Sequence, residues 1–333
     1  MSEANSPIPT STLEYYHALP VPQGPPPRPR YWLHALLVLA TFFTTLVMGA
    51  RMQYNFEHNR PALSMGDESL PYFPASWVFS HPAWLWAGWP FAATLMLFFL
   101  VHEMGHYIMC RRYGIRATLP FFIPLPTPIG TMGAVIIIRS KIRSRAALFD
   151  VGIAGPIAGF VVALVILLLS LGWSKPAPAA LDPTDPQIGL PLIFNLAHRI
   201  LVILKYVHGV SGLPVGRVLL HPAAIAAWVG MYATALNLLP SSQLDGGHII
   251  YALAPRMHRA ISWITAMVLL YLGRRHVSWG VWAGVVIVMN VLTHRQQQAP
   301  EYPTLPATRW ALALFAAIML VLTFTISPFQ MSW

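Results

Sequence analysis

Apolar residues in this chain come in long unbroken runs, separated by short segments that carry prolines, arginines or polar residues. Runs long enough to cross about 30 Å of hydrocarbon as helices fall at residues 32–50, 84–110, 146–171 and 222–239, with shorter ones at 261–273, 279–292 and 310–326. The pattern predicts an all-α polytopic membrane protein with about six or seven transmembrane helices. One stretch breaks it. Between Thr118 and Ser140, Pro120, Pro124, Pro126 and Pro128 forbid a regular helix, while Val135 to Ile138 is a strong β run. The expected element is a small re-entrant β-hairpin facing a protein cavity, because bare strand edges are intolerable in lipid. Its edge offers an extended peptide a place as an added strand; the alternative is a plug that only packs beside a neighbouring helix.

This punctuation divides the chain into four parts. Residues 1–30 form a proline-rich tail, expected to be disordered and cytoplasmic. Residues 31–81 hold the first span and a polar outer loop, residues 82–254 the core of the molecule, and residues 255–333 the C-terminal spans. The outer loop at 171–220 includes a stretch with Arg199 and Lys205 among apolar residues, suited to the membrane interface. At about fifty residues that loop is too short for an inserted domain of ordinary size.

Composition agrees with a membrane setting: 56% of the 333 residues are hydrophobic, 10% are charged, and the mean hydropathy is +0.56. The net charge of +10 does not point to nucleic acid, because Lys and Arg are scattered among loops instead of forming a stripe. It bears on topology. A cytoplasmic N terminus puts Arg111, Arg112, Arg139, Arg145, Arg256 and Arg309 on the cytoplasmic side and leaves eight of the 21 basic residues outside, Arg274 and Arg275 among them. The single cysteine, Cys110, excludes an intramolecular disulfide and a CxxC metal site, and is expected to be a packing residue.

The chemistry lies in the second run, which contains Phe99-Leu-Val-His-Glu-Met-Gly-His106. On a helix, His102 and His106 share a face and reach one tetrahedral metal ion, with Glu103 one step round. From there Glu103 can take a proton from an attacking water and pass it to a leaving group. A five-residue pattern arises by chance, but ionisable residues at membrane depth are costly without a partner or a task.

Two histidines leave a tetrahedral zinc short of a protein ligand. The candidate for the third is Asp245, in Asn237-Leu-Leu-Pro-Ser-Ser-Gln-Leu-Asp-Gly-Gly-His248. His248 is its competitor. Gly246 and Gly247 are expected to let the backbone approach the metal. Asn237 can donate an N–H to a carbonyl oxygen or an oxyanion; alternatively it satisfies carbonyls freed by Pro240. Gly152, Gly155 and Gly159 form a small-residue face on the third run, suited to close packing against the metal helix. Asp150, near the start of that helix, is expected to act as a cap or dipole partner, with a ligand role as the other reading.

These motifs together resemble the site-2 protease family of intramembrane zinc metalloproteases, peptidase family M50. The likeness rests on Phe99-x-x-His102-Glu103-x-x-His106, Gly152-x-x-Gly155-Pro156 and Asn237-x-x-Pro240-x-x-x-x-Asp245-Gly246. It covers roughly residues 95 to 250, the family's three-helix catalytic core. The resemblance implies hydrolysis of peptide bonds in or near transmembrane segments of membrane-tethered proteins, with one Zn2+ per chain. His102, His106 and Asp245 would be the metal ligands, and Glu103 and Asn237 the catalytic residues. The substrate would be a membrane protein, bound as an extended strand near Thr118–Ser140. Gly130-Thr-x-Gly-Ala and Arg145-x-Ala-Leu-Phe-Asp150 resemble a bacterial and chloroplast branch, which implies a multi-pass protein of a bacterial inner membrane. Unlike a branch with an inserted PDZ domain, the chain offers no room for one. Two other classes stand beside this: a zinc transporter, expected to show several polar sites along a path, and an inactive scaffold, expected to have lost Glu103 or a ligand.

Overall fold

The computed structural model describes residues 30–64, 70–140, 142, 144–178, 187–207, 209–210, 212–292 and 305–330. All but the last residue of the expected proline-rich tail lies outside them. Helix α1 (Tyr31–Glu57) is followed by two short helices, α2 (Ala75–Ser80) and α3 (Pro82–Ala87), and then by α4 (Trp89–Arg112), which carries both histidines. The hairpin β1 (Phe121–Pro124) and β2 (Thr131–Val135) leads to α5 (Arg145–Leu171). Beyond it lie β3 (Lys175–Pro176), β4 (Gln187–Ile188), α6 (Leu192–Ile203), β5 (Val218–Leu219), α7 (Pro222–Asn237) and α8 (Asp245–Leu253). The chain closes with α9 (Pro255–Gly273), α10 (Val277–Leu292), α11 (Ala307–Thr323) and β6 (Phe329–Gln330).

The boundaries have local causes. Ser144 caps α5 by accepting from the Ala147 N–H at 3.3 Å. Pro222 occupies the first turn of α7, where the missing N–H costs nothing, and the His221 ring accepts from the Ala223 N–H at 3.2 Å. Pro240 keeps α7 from continuing into α8, so the chain turns between them.

Among the described residues, three helical stretches are long and apolar enough to cross a membrane: Tyr31–Glu57, Pro82–Arg112 and Arg145–Leu171. The other four expected spans are helices of 16, 19, 16 and 17 residues, namely α7, α9, α10 and α11. Hydropathy alone did not give these lengths: the runs at 222–239 and 310–326 continue through apolar residues past the ends of α7 and α11, while those at 261–273 and 279–292 begin inside α9 and α10. Exposed Val161, Val165, Leu169, Ile264, Met267, Val268, Leu314 and Val321 give α5, α9 and α11 apolar outer faces, as membrane association requires.

Inside, α5 is the central helix, packed along α4 and against α7 and α8. Phe91, Leu95 and Phe98 of α4 meet Phe149, Ile153, Phe160 and Leu167 of α5 and Ala224, Ala227 and Met231 of α7 in one buried cluster. Cys110 is buried in a smaller cluster with Ile115, Ala147 and Val151, the packing role its sequence context predicts. The starts of α1, α5, α9 and α11 and the ends of α4, α7 and α10 all lie at one end of the molecule. His34 contacts Pro120, Arg309 contacts Asp150, His258 contacts Ser242 and Asn290 contacts Ser262 there.

The hairpin forms where the prolines predict it, but its second strand runs Thr131–Val135, earlier than the Val135 to Ile138 run; Phe121 faces Val135 and Phe122 faces Ala134. Two glycines at positive φ explain the placement. Gly130 (φ 77) lies against the α1 backbone at Thr44, whose hydroxyl donates to Gly130 O at 2.6 Å, and Gly133 (φ 99) lies against the Phe99 ring on α4. The hairpin is thereby wedged between α1 and α4.

Candidate metal centre

His102 and His106, one turn apart on α4, are both buried and turn their Nε2 atoms to the same point, 3.2 Å from each other. The third element is the first residue of α8. Asp245 Oδ2 lies 3.5 Å from His102 Nε2 and 3.3 Å from His106 Nε2. Donors bound at about 2.0–2.2 Å to a tetrahedral ion stand about 3.3–3.6 Å apart, so these three atoms occupy the corners of one face of such a site. They are a group able to hold a metal ion. The His106 tautomer agrees: its Nδ1 lies 2.7 Å from Val151 O and donates there, which leaves the Nε2 lone pair for a metal. His248 is not part of the group; its Cβ packs against Gly152 on α5.

The glycine face of α5 makes this convergence possible. A Cβ at Gly155 would collide with the His106 ring, and one at Gly159 would stand 2.9 Å from His102 Nδ1. The sequence predicts close helix packing from this face, and the structure adds that the imidazoles themselves fill the space. Gly246 and Gly247 do something different from the expectation. They face away from the donors, toward the preceding turn: a Cβ at Gly246 would meet Leu238 O, and one at Gly247 would meet Ser241 O and Ser242 O. They let the first turn of α8 fold tightly beneath its own loop.

Glu103 is buried at 8% exposure, and its Oε2 accepts the Ile136 N–H at 2.9 Å. Ile137 bonds through its N–H and its carbonyl to Thr118 on the hairpin's inner side, so Ile136, one residue earlier, faces the opposite edge. The carboxylate therefore sits on the outer edge of the strand, a contact that requires the hairpin's register and has no signal in the motif. The Asn237 amide Nδ2 lies 3.3 Å from His102 Nε2, so this side chain points at the donor cluster. Asp150 does not cap α5. Arg309 on α11 donates to Oδ1 at 2.8 Å and to Oδ2 at 2.7 Å, and the Tyr113 hydroxyl donates to Oδ2. Burial, and then this carboxylate, push the Tyr113 phenol up from its ordinary value.

A sequence model of peptidase family M50 matches residues 90–274, which contain α4 from its second residue on, α5 to α9 and every residue of the donor cluster. The chain belongs to peptidase family M50. It is similar, at 25% identity over 321 residues, to a protein of Arabidopsis thaliana named "Probable zinc metalloprotease EGY1, chloroplastic", a match that covers 92% of this chain and 54% of that relative. A protein of Oryza sativa subsp. indica named "Probable zinc metalloprotease EGY2, chloroplastic" is 33% identical over 156 residues, 46% of this chain and 27% of the relative. The chain thus spans about half the length of the first of these relatives and about a quarter of the second.

Proposed function

We propose that this M50 protein is a zinc metalloendopeptidase that hydrolyses peptide bonds in or near transmembrane segments of membrane-tethered proteins. The observation that carries the reading is the triangle of His102 Nε2, His106 Nε2 and Asp245 Oδ2, with edges of 3.2, 3.3 and 3.5 Å, next to the Glu103 carboxylate. His102, His106 and Asp245 hold the zinc. When bound, zinc lowers the pKa of a water and polarises the scissile carbonyl. Glu103 takes the proton of the attacking water and delivers it to the leaving amide nitrogen, so that one C–O bond forms as the C–N bond breaks. Asn237 donates an N–H to the oxygen that gains charge. The substrate lies in extended form along the outer edge of β2, which Ile136, the residue just after the strand, continues and where its N–H already holds Glu103.

The cluster lies where α4 ends in Arg111 and Arg112, the end shared by Arg145 and Arg309. By the positive-inside rule that end faces the cytoplasm. A transmembrane helix shields its carbonyls in its own hydrogen bonds and must unwind before it can align with a strand. Gly or Pro near the scissile bond of a reporter transmembrane substrate should therefore raise its cleavage rate, and placing Leu there should lower it. Cleavage indifferent to these replacements counts against the proposal.

A further inference from the structure

Asp245 follows a turn, residues 238–244, that Leu238 anchors in the α4–α5–α7 core, while the hydrogen-bonding side chains that hold its middle, at Pro240, Ser241 and Ser242, come from α9 and α10. Ser242 has φ 48, a left-handed backbone that a residue with a Cβ adopts only at a cost. Both of its peptide groups are held. Its N–H donates to Ser262 Oγ at 3.1 Å, and its carbonyl lies 3.3 Å from His258 Nε2, both on α9. Ser262 is in turn fixed by α10: Asn290 Nδ2 donates to its carbonyl at 3.2 Å. Ser241, Ser242 and Ser262 are 3% exposed or less, so these bonds do not exchange freely with water. Three residues after Ser242, Asp245 opens α8, with Gly247 seated on the carbonyls of Ser241 and Ser242.

We infer that Ser262 is a positioning residue for the metal centre: it holds Ser242 in its left-handed conformation and so sets the start of α8 at the point where the Asp245 carboxylate meets the two imidazoles. The α9–α10 hairpin, which supplies none of the three donors, is by this route part of the zinc site. The inference rests on Asp245 being a zinc ligand.

The test is zinc affinity of the full chain in detergent, measured by competition with a chromophoric chelator. Ser262→Ala removes the acceptor that holds Ser242 and should weaken Zn2+ binding by about tenfold or more, the scale of an outer-shell partner. Ser242→Gly should leave affinity near that of the parent protein, because glycine takes φ 48 without strain. The double variant Ser262→Ala with Ser242→Gly should recover most of the lost affinity, which a general loss of folding would not do. Parent-like affinity in Ser262→Ala overturns the inference, and so does a loss that Ser242→Gly fails to repair. Asp245→Ala separates the two levels: unchanged zinc binding there overturns the ligand reading itself, whereas weakened binding there with a silent Ser262→Ala overturns the positioning role alone.

Discussion

Asp150 and Asp245 are acidic residues at the same end of the helix bundle, with nearly equal side-chain exposure, 17% and 15%, and opposite situations. Asp150 receives both arms of the Arg309 guanidinium and the Tyr113 hydroxyl, so its charge is matched within the protein. Asp245 faces two imidazole nitrogens that carry no obligatory charge, one of them with its proton directed away to Val151 O. A buried carboxylate needs a cation. At Asp150 the chain provides one from α11, and at Asp245 the carboxylate joins two imidazole nitrogens in a group able to hold a metal ion. Acidity and partial burial are shared by the two sites, and what separates the two carboxylates is that an arginine already stands against Asp150.

The largest effect that tests this contrast is on zinc. Asp245→Ala should lower zinc affinity by more than about a hundredfold, beyond the range of outer-shell substitutions, while Asp150→Asn should keep the metal. Equal zinc loss in the two variants, read by metal analysis of the purified protein, would erase the distinction. A smaller effect is expected on stability. Arg309→Gln strips Asp150 of charged hydrogen bonds and should cost about 1.5–3 kcal/mol in a denaturation measurement, with cleavage of a reporter substrate unchanged where the protein is folded. Loss of cleavage in a fully folded Arg309→Gln protein would assign that pair to the reaction.

The donor cluster was legible in the sequence because its parts are short-range patterns. His102-Glu103-x-x-His106 declares itself by helical spacing, and Asp245 by being an acidic residue next to a proline break in an apolar run. The hairpin was legible from its prolines, though its strand register was not, since that depends on Gly130 and Gly133 fitting against α1 and α4. The partner of Asp150 lies 159 residues away on α11, and the hold on Ser242 comes from Ser262 and His258, residues that look like ordinary polar insertions in an apolar helix. Side chains that act by fixing another backbone carry no motif. The number of spans was also beyond reach, because hydropathy measures runs and not the helices into which they fold.

The central claim is that Glu103 moves the proton while His102, His106 and Asp245 hold the metal. Glu103→Gln keeps the shape of the side chain and removes its basicity, so zinc content and cleavage can be read on one preparation with a reporter transmembrane substrate. The account predicts zinc bound as in the parent protein and cleavage reduced by about 10²–10⁴-fold, the contribution of a positioned general base. Undiminished cleavage with zinc in place would contradict it.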